Sequence, residues 1–328
     1  TSNGMNGLLP TMLLTVGSSG ITWDEPMVEK FSMAGSNMDL GNERGVNFLF
    51  KKTDLKGTGY TAIVTQTLAD GSTRVTEIAQ ADWSAMGSTY HKVGVRIAAK
   101  EMADTLTIEI VDADGYVLNN AYSDSARGYA GRALASSSTT EYVRIMMIDM
   151  LNYGAAAQQH FKYNTSNLAN SILTEADQAD ATAKITCTND QVKDTTVYGS
   201  NLALDDSILL NTFFKGLKGK DIASMYAMVT FTGYDGASHE IRMEGAEFEK
   251  YGTSGDIYKI VVDDIVLADA RQMVTVTVYN ADGTKYGEVS DSVESYVARA
   301  EANNADTYGL YANIMKFATS AYNYITNK

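Results

Sequence analysis

The chain repeats itself at an interval of 164 residues, which is half its length of 328 residues. Two blocks of identities share this offset. The first pairs Thr1-Ser2-Asn3, Asn6 and Leu9 with Thr165-Ser166-Asn167, Asn170 and Leu173. The second pairs Gly35-Ser36-Asn37, Leu40, Asn47 and Phe50-Lys51 with Gly199-Ser200-Asn201, Leu204, Asn211 and Phe214-Lys215. The chain is therefore two copies of one unit, each close to the commonest domain size.

The repeat predicts two domains, copy one at residues 1–164 and copy two at residues 165–328. Thr165–Leu173 follows the last predicted helix of copy one. Its counterpart at the start of the chain, residues 1–10, therefore resembles the tail of a preceding copy. We expect the sequence to be a piece of a longer array with neighbouring copies of the same module.

Composition excludes several classes of protein. A single cysteine, Cys187, allows no disulfide and no CxxC metal site within the chain. The net charge of -14, most of it in copy two, argues against nucleic acid and anionic membranes, which bind through Lys and Arg clusters. Nothing resembles a signal peptide, and no run approaches the ~20 apolar residues needed to span a bilayer, so no membrane insertion is expected.

Both copies begin with sequence typical of strands. Thr105–Ile110 and Val274–Val278 alternate polar and apolar residues, which indicates strands with one face in a core. Glycine-containing turns recur between strands, because Gly tolerates the positive φ of tight hairpins. These turns are Asp112–Gly115, Asn280–Gly283, Asp70-Gly71 and Asp235-Gly236. Short strands with regular turns indicate an antiparallel sandwich or barrel.

Each copy then changes to helical sequence. Ser123-Asp124-Ser125 and Ser290-Asp291-Ser292 predict N-caps, and Asp291 with Glu294 has the spacing of a capping box. The last helix of each copy carries an apolar stripe at helical spacing. The two stripes are Tyr142, Met146, Met150, Tyr153, Ala157, Phe161 and Leu310, Ile314, Phe317, Ala321, Ile325. Where the two stripes differ, the substituted residues keep their bulk but not their polar atoms, which indicates a packing surface and not a catalytic one. The residues of Gly154–Ala157 are small enough for the helix to lie against a sheet.

These patterns predict a mainly β chain with helices (α+β). We expect two tandem antiparallel β-sandwich domains, each with a short helix and a long C-terminal helix packed on the sandwich.

No motif predicts a reaction, a cofactor or a metal. Gly57–Ala62 fits a loose dinucleotide pattern but precedes a strand instead of following one. Asp112 and Asp114 favour a hairpin turn over a calcium loop, although a shallow surface calcium site stays conceivable. The histidines His91, His160 and His239 are scattered and do not recur between the copies. We therefore predict no catalytic residue, no cofactor and no metal site.

Trp23 and Trp83 are the candidate ligand-binding residues. A β-sandwich that binds sugar commonly presents aromatic faces that stack on rings, but core packing is the favoured interpretation of both tryptophans. Many of the 20 tyrosines would also suit protein recognition if they are exposed.

Several stretches of copy one resemble a known module. They are Ile97–Thr105, Tyr129, Met150–Gln158 (MLNYGAAAQ) and Asn167–Asn170, and copy two keeps only Ser292, Tyr296 and Ile314–Ala318. The module is found in tandem in large secreted or wall-attached proteins of gut Firmicutes, especially Lachnospiraceae and Ruminococcaceae. The resemblance implies a non-catalytic extracellular module that binds host proteins or glycans. Immunoglobulin-binding, superantigen-like surface proteins are among such proteins.

The leading hypothesis is a binding protein of a gut bacterium, secreted or attached to the cell wall, that recognises a host protein, with immunoglobulin as the leading candidate. A carbohydrate-binding module acting through Trp23 or Trp83 and a passive spacer are the alternatives. Tandem copies raise effective concentration at a multivalent target, so weak binding by each copy is sufficient.

Overall fold

The structure is a computed structural model that describes residues 14–17, 20–23, 30–38, 45–204, 207–263 and 265–327, the first two of these ranges by their backbone alone. Its elements follow the predicted order, with strands before the long helix in each copy, except that a short helix at Glu175–Asp180 precedes the strands of copy two.

Copy one contains ten described strands. They are β1 (Leu14–Gly17), β2 (Gly20–Trp23), β3 (Gly35–Met38), β4 (Gly45–Lys51), β5 (Thr61–Thr67), β6 (Thr73–Ala79), β7 (Ser84–Met86), β8 (Tyr90–Arg96), β9 (Thr105–Val111) and β10 (Tyr122–Asp124). β1 and β2 form a separate antiparallel hairpin. The other strands form two four-stranded sheets in the orders β10-β9-β5-β6 and β3-β4-β8-β7.

Copy two repeats this arrangement. Its strands are β11 (Val192–Lys193), β12 (Val197–Leu204), β13 (Ile208–Phe214), β14 (Tyr226–Thr232), β15 (Ser238–Glu244), β16 (Glu249–Tyr251), β17 (Ile257–Val262), β18 (Val274–Tyr279) and β19 (Lys285–Asp291). Their sheet orders are β11-β19-β18-β14-β15 and β12-β13-β17-β16. Apart from the added edge strand β11, strand order in copy two matches that of copy one.

Five α-helices are described. They are α1 (Ala126–Ala135), α2 (Glu141–His160), α3 (Glu175–Asp180), α4 (Val293–Ala302) and α5 (Leu310–Thr326). Single 3-10 turns connect several elements, among them Ala99–Glu101 in copy one, its equivalent Leu267–Asp269 in copy two, and Ala169–Ile172 after α2. The α+β class with two antiparallel β-sandwich domains and helices is confirmed.

The sandwich cores arise from the alternating strands. In copy two, β14 and β18 turn Ala227, Val229, Val276 and Val278 inward, and all four are fully buried. The facing sheet contributes Leu210, Phe214, Ile260 and Val262. Fully burying a large aliphatic side chain contributes about 1.5–3 kcal/mol, so each pair of sheets forms a substantial apolar layer.

The predicted hairpin turns are present. β5 and β6 turn at Gly71 (φ 82°), and β14 and β15 turn at Gly236 (φ 81°). β18 and β19 turn at Gly283 (φ 80°), and Gly115 (φ 86°) follows β9. These positive values explain why glycine recurs at the four sites.

The helix N-caps are Ser125 and Ser292, whose side chains accept hydrogen bonds from Gly128 N and Ser295 N. The proposed capping box of Asp291 and Glu294 is wrong. Asp291 ends β19 and is fully buried, where its carboxylate pairs with Arg299 at 2.6 Å. A strand residue cannot cap the helix that begins two residues later.

The apolar stripes are packing surfaces, as predicted, except at their ends. Met146, Met150, Tyr153 and Ala157 are buried on α2, and Leu310, Ile314, Phe317 and Ala321 are buried on α5, whereas Tyr142 and Phe161 are each 43% exposed. The two helices pack against each other, and the rings of Tyr153 and Phe317 lie 6.1 Å apart.

The small residues of α2 allow a close approach, but to a turn rather than to a sheet. A Cβ at Gly154 would lie 2.6 Å from Met102 Sδ, 3.1 Å from Ala169 Cβ and 3.2 Å from Ala99 O. Gly154 therefore makes room for the Ala99–Glu101 turn and for the segment that follows α2.

The chain divides into two compact units whose boundaries do not coincide with the sequence repeat. The first unit is Thr1–Asn37, Asn47–Val95 and Thr105–Asp124. The second is Met38–Val46, Arg96–Asp104 and Ser125–Lys328, so it holds the sandwich of copy two and the helices of both copies. The ranges 1–164 and 165–328 describe the repeat in the sequence, and the compact units have other boundaries.

Candidate binding surfaces

Trp83 lies at the end of the 3-10 turn between β6 and β7 and is half-buried. Its indole Nε1 donates a 3.0 Å hydrogen bond to Ile78 O. The ring packs edge to face with Phe50 at 5.4 Å and with His91 at 5.6 Å. Trp83 is thus part of an aromatic cluster on the first unit with part of its surface open to solvent.

His91 belongs to the same aromatic cluster. Burial lowers the pKa of its imidazole, and the nearby charge of Lys52 lowers it further. The ring packs against Phe50 at 5.4 Å, and Phe50 also contacts Phe31 at 5.5 Å. A lowered pKa favours the uncharged ring, which suits packing beside Trp83.

Trp23 ends β2, where its backbone pairs with Leu14. Its side chain lies outside the described residues. The structure therefore positions one of the two predicted tryptophans and leaves the other as a prediction.

The sandwich of copy two carries a second aromatic surface, which sequence reasoning missed. Tyr226 and Tyr279 are opposite each other on β14 and β18, and their rings stack at 5.0 Å with an interplanar angle of 14°. The guanidinium carbon of Arg242 on β15 lies 3.7 Å from the centre of the Tyr226 ring. Arg242 also pairs with Glu244 at 2.6 Å. We call these four residues the tyrosine–arginine ladder.

The tyrosine–arginine ladder faces solvent. The side chains of Arg242 and Glu244 are 51% and 56% exposed, and the tyrosines are half-buried. The hydrogen bonds that Glu244 accepts from Arg242 lower the pKa of its carboxyl. A cation is attracted to the face of an aromatic ring, so the contact with Arg242 favours this position of the Tyr226 ring.

Copy one has no such ladder at the same register. Thr61 is opposite Val111 and Ala79 on β9 and β6, just as Tyr226 is opposite Tyr279 and Glu244. Glu77 takes the place of Arg242. The two copies therefore share a sheet but present different chemistry on it.

Tyrosine is exposed at several further positions, in keeping with the expectation from composition. Among the described residues, those more than 40% exposed are Tyr116, Tyr142, Tyr198, Tyr251, Tyr308 and Tyr322. Tyr251 packs edge to face against Phe213 at 4.7 Å, which fixes its ring on the surface of copy two. Rigid tyrosine rings supply contact area at low entropic cost.

A buried polar cluster joins the two sheets of copy two to α4. Arg299 contacts both carboxylate oxygens of Asp291, at 3.0 and 2.6 Å, and donates to Ser200 Oγ at 3.1 Å. Ser200 and Gln191 also donate to Asp291. Ser36 donates the same bond to Asp124 in copy one, and these residues correspond to Ser200 and Asp291 at offsets of 164 and 167. Recurrence and full hydrogen bonding identify this cluster as structural.

Cys187 has the properties of an unreactive thiol. Burial, followed by the charges of Glu294 and Glu301, raises the pKa of the thiol to about 11. The thiolate is the nucleophilic form, so the raised pKa makes Cys187 a poor nucleophile.

Asp112 and Asp114 belong to the turn that follows β9 in copy one, and Asp112 stabilises this turn. Asp112 Oδ1 accepts hydrogen bonds from Asp114 N at 3.0 Å and from Tyr116 N at 2.9 Å. Within the part of the chain that the structure describes, no three His, Cys, Asp or Glu side chains are grouped to hold a metal ion. In the same part, no helix is long and apolar enough to cross a membrane.

Comparisons with known proteins add little to these observations. No protein-family model matches the chain, and no curated protein matches it. Among solved structures, the crystal structure of chicken CNTN1 FN1-FN3 domains is similar at 6% identity, over 86% of this chain and 74% of that one, with a TM-score of 0.21. A likeness this weak carries no argument, so the β-sandwich assignment rests on the strands and sheets described above.

Proposed function

We propose that the chain is a non-catalytic, extracellular or cell-surface binding protein that recognises a host protein, with immunoglobulin as the leading candidate. The tyrosine–arginine ladder of copy two is the observation that carries this proposal. Tyr and Arg are enriched at protein interfaces and dominate their binding energy. The ladder places both on an exposed sheet face.

The choice of ligand rests on the resemblance of the MLNYGAAAQ region to surface modules of gut Firmicutes. The geometry supports protein recognition through stacked and ordered rings that lose little entropy on binding. The difference between the copies supports a division of labour in which copy two provides the contact surface.

The experiment immobilises the purified full chain and measures capture from serum and from purified intestinal immunoglobulin A. The double variant Tyr226→Ala/Arg242→Ala removes the centre of the ladder, and we expect it to weaken capture by about tenfold or more. The matched control is Thr61→Ala/Glu77→Ala, which changes the equivalent positions of copy one and leaves capture unchanged. Absence of immunoglobulin capture by the wild type would contradict the proposal, and equal loss in both variants would contradict the role of the ladder.

The second candidate is a carbohydrate-binding module, and the open part of Trp83 favours it. A glycan array is measured with the wild type and with Trp83→Ala, and thermal unfolding checks that the variant still folds. A blank array, or a positive array that Trp83→Ala does not change, would contradict this alternative. If neither assay identifies a ligand, we interpret the chain as a passive spacer.

A further inference from the structure

A cleft of about 380 Å³ opens at one edge of the copy-two sandwich, between β15 and β17. Val229 and Val262 line it and are each at most 2% exposed, whereas Ile241 and Met243 line it as half-buried residues. We call it the edge cleft. Its apolar lining continues the core of the sandwich, so an apolar side chain that enters the cleft leaves water.

The edge cleft is open because no described strand covers either sheet there. β15 is the last strand of its sheet in the part of the chain that the structure describes. In the facing sheet, β16 pairs with residues 257–259 of β17, and residues 260–262 of β17 pair with β13 alone among the described strands. Two uncovered strand edges with an apolar cleft between them suit an extended segment.

β15 also offers backbone hydrogen bonds along this edge. Gly245 N donates to Met225 O at 2.8 Å, just beyond the last residue pair of β14 and β15. Because bonded and non-bonded pairs alternate in an antiparallel ladder, the N–H and C=O groups of Glu240 and Arg242 point away from β14. The pairing of β15 with β14 has no shift of register, so these groups form a regular row that a further strand can bind.

The charges around the edge cleft favour a cationic occupant. Glu247 and Asp263 line it, and neither forms an ion pair with a described residue. Arg242 also lines the cleft, but it is already paired with Glu244 at 2.6 Å. Glu240 and Glu244 project from the solvent face of β15, where cations on a neighbouring strand would lie opposite them.

Copy one differs at the same register. Ile241 corresponds to Thr76, because β15 pairs with β14 as β6 pairs with β5. Asp263 corresponds to Arg96, because β17 pairs with β16 as β8 pairs with β7. Copy one thus has a polar side chain in place of an apolar one and a cation in place of a carboxylate. The chemistry of the edge cleft therefore belongs to copy two and not to the fold that both copies share.

We propose that the edge cleft binds an extended segment of another protein in which apolar side chains alternate with Lys or Arg. The segment adds a strand to β15, its apolar side chains enter the cleft, and its cations face Glu240 and Glu244. This site does not rest on the proposed function, because the tyrosine–arginine ladder lies on the outer face of the sheet and the cleft opens between the two sheets.

The test titrates an acetylated and amidated peptide of alternating Val and Lys, of the same seven-residue length as β15, into the isotope-labelled full chain. Backbone amides are followed by NMR, and we expect saturable shifts in Ser238–Glu244 and in residues 261–263. A peptide of alternating Val and Glu is expected to bind about tenfold more weakly or worse, because its charge is reversed. No saturable shift with the Val–Lys peptide, or equal binding of both peptides, would overturn the proposal.

Two N-methylated forms of the Val–Lys peptide test the addition of a strand. One form is methylated at the Val amides and the other at the Lys amides, so each lacks the backbone donors along one of its two edges. We expect one form to lose binding and the other to keep it, since only one edge of the added strand faces β15. Equal binding by the two forms would overturn strand addition.

Two variants of the chain locate the site by introducing the residues of copy one. Ile241→Thr removes apolar lining and Asp263→Arg reverses a charge, and each is expected to raise the dissociation constant of the Val–Lys peptide about fivefold or more. Asp114→Arg makes the same change of charge on an exposed turn of copy one and serves as the control, with unchanged binding. Thermal unfolding identifies a variant that has lost its fold, and the exposed Asp263→Arg keeps the test decisive if Ile241→Thr has done so. Unchanged binding in Asp263→Arg would overturn the site.

The edge cleft and the tyrosine–arginine ladder are separated by their own variants. Tyr279→Ala alters the ladder two strands away from the edge, and we expect it to leave binding of the Val–Lys peptide unchanged. A chain that binds this peptide but captures no immunoglobulin would contradict the proposed function alone. Loss of peptide binding in Tyr279→Ala as large as that in Asp263→Arg would overturn the edge cleft as a separate site.

Discussion

Asn211 Nδ2 donates a 2.9 Å hydrogen bond to Asn201 Oδ1, directly across the β12–β13 pair. Asn47 and Asn37 make the same 2.9 Å bond in copy one, 164 residues earlier. Asn47 and Asn211 are 1% and 5% exposed. Four of the residues that first reveal the repeat in the sequence are therefore partners in polar contacts between strands, each with one buried asparagine.

Removal of the buried partner of this bond should destabilise the fold. We expect Asn211→Ala to lower the free energy of unfolding by about 1–3 kcal/mol, because the cross-strand bond is lost within the sheet. Asn201→Ala, at the exposed end of the bond, should cost less. Urea unfolding of both variants and the double variant measures the coupling. Strictly additive effects would show that the two side chains do not act as a pair.

The buried ion pair of copy two should matter far more than the exposed one. Arg299→Met leaves the fully buried Asp291 without its cation, and we expect a loss of about 3–5 kcal/mol in the free energy of unfolding. Glu244→Gln breaks the exposed pair with Arg242 and should cost far less, because solvent screens an exposed ion pair. Denaturant unfolding compares the two. Similar losses would contradict the structural role of the Arg299 cluster.

Asp149 makes stability depend on pH. This fully buried carboxylate of α2 accepts bonds from Thr182 N and Oγ1, but burial outweighs these bonds and raises its pKa above 3.8. The folded state then holds the proton more tightly than the unfolded state. The contribution of Asp149 to stability is therefore full below pH 3.8 and is lost as the pH rises through the folded pKa.

The variant Asp149→Asn removes this titration, so its free energy of unfolding relative to wild type should increase with pH from 4 to 7. Asp177→Asn is the control of opposite sign, since bonds from Thr174 lower the pKa of Asp177 and its contribution is lost as the pH falls. Urea unfolding at several pH values measures both. A difference between Asp149→Asn and wild type that stays constant with pH would refute the assignment.

Cys187 should react slowly with thiol reagents. A shift of its pKa from 9.0 to about 11 lowers the thiolate fraction at pH 8 roughly 100-fold relative to an ordinary thiol. The rate of modification by iodoacetamide, compared with that of the same protein in urea, gives the measurement. Equal rates in the native and unfolded protein would be inconsistent with a buried thiol.

Elements defined by local pattern were predictable from the sequence. The strands, the hairpin turns at Gly71 and Gly236 and the stripe of α2 each follow from a period of two or 3.6 residues or from backbone freedom at glycine. The unit boundaries did not follow, because no local pattern shows that α2 and α5 share a unit.

Features that depend on contacts between distant residues were not predictable. The tyrosine–arginine ladder needs the register of three strands, and Tyr226 and Tyr279 are 53 positions apart in the sequence. The prediction that Asp291 caps a helix is wrong because the sequence does not show that β19 extends to Asp291 or that Arg299 reaches it. For the tyrosine–arginine ladder, the one signal in the sequence was the alternation of polar and apolar residues in β14, which places Tyr226 on the outer face of the sheet.

Tyr153 and Phe317 are the same position of the module, and their rings meet at 6.1 Å. The apolar stripes of α2 and α5 therefore cover each other, with equivalent positions of the two copies in contact. Within this chain, the covalent link between the copies turns what would be association of two molecules into an intramolecular contact. The pairing of α2 and α5 is thus independent of protein concentration, and a lone module would expose the face that its twin now covers.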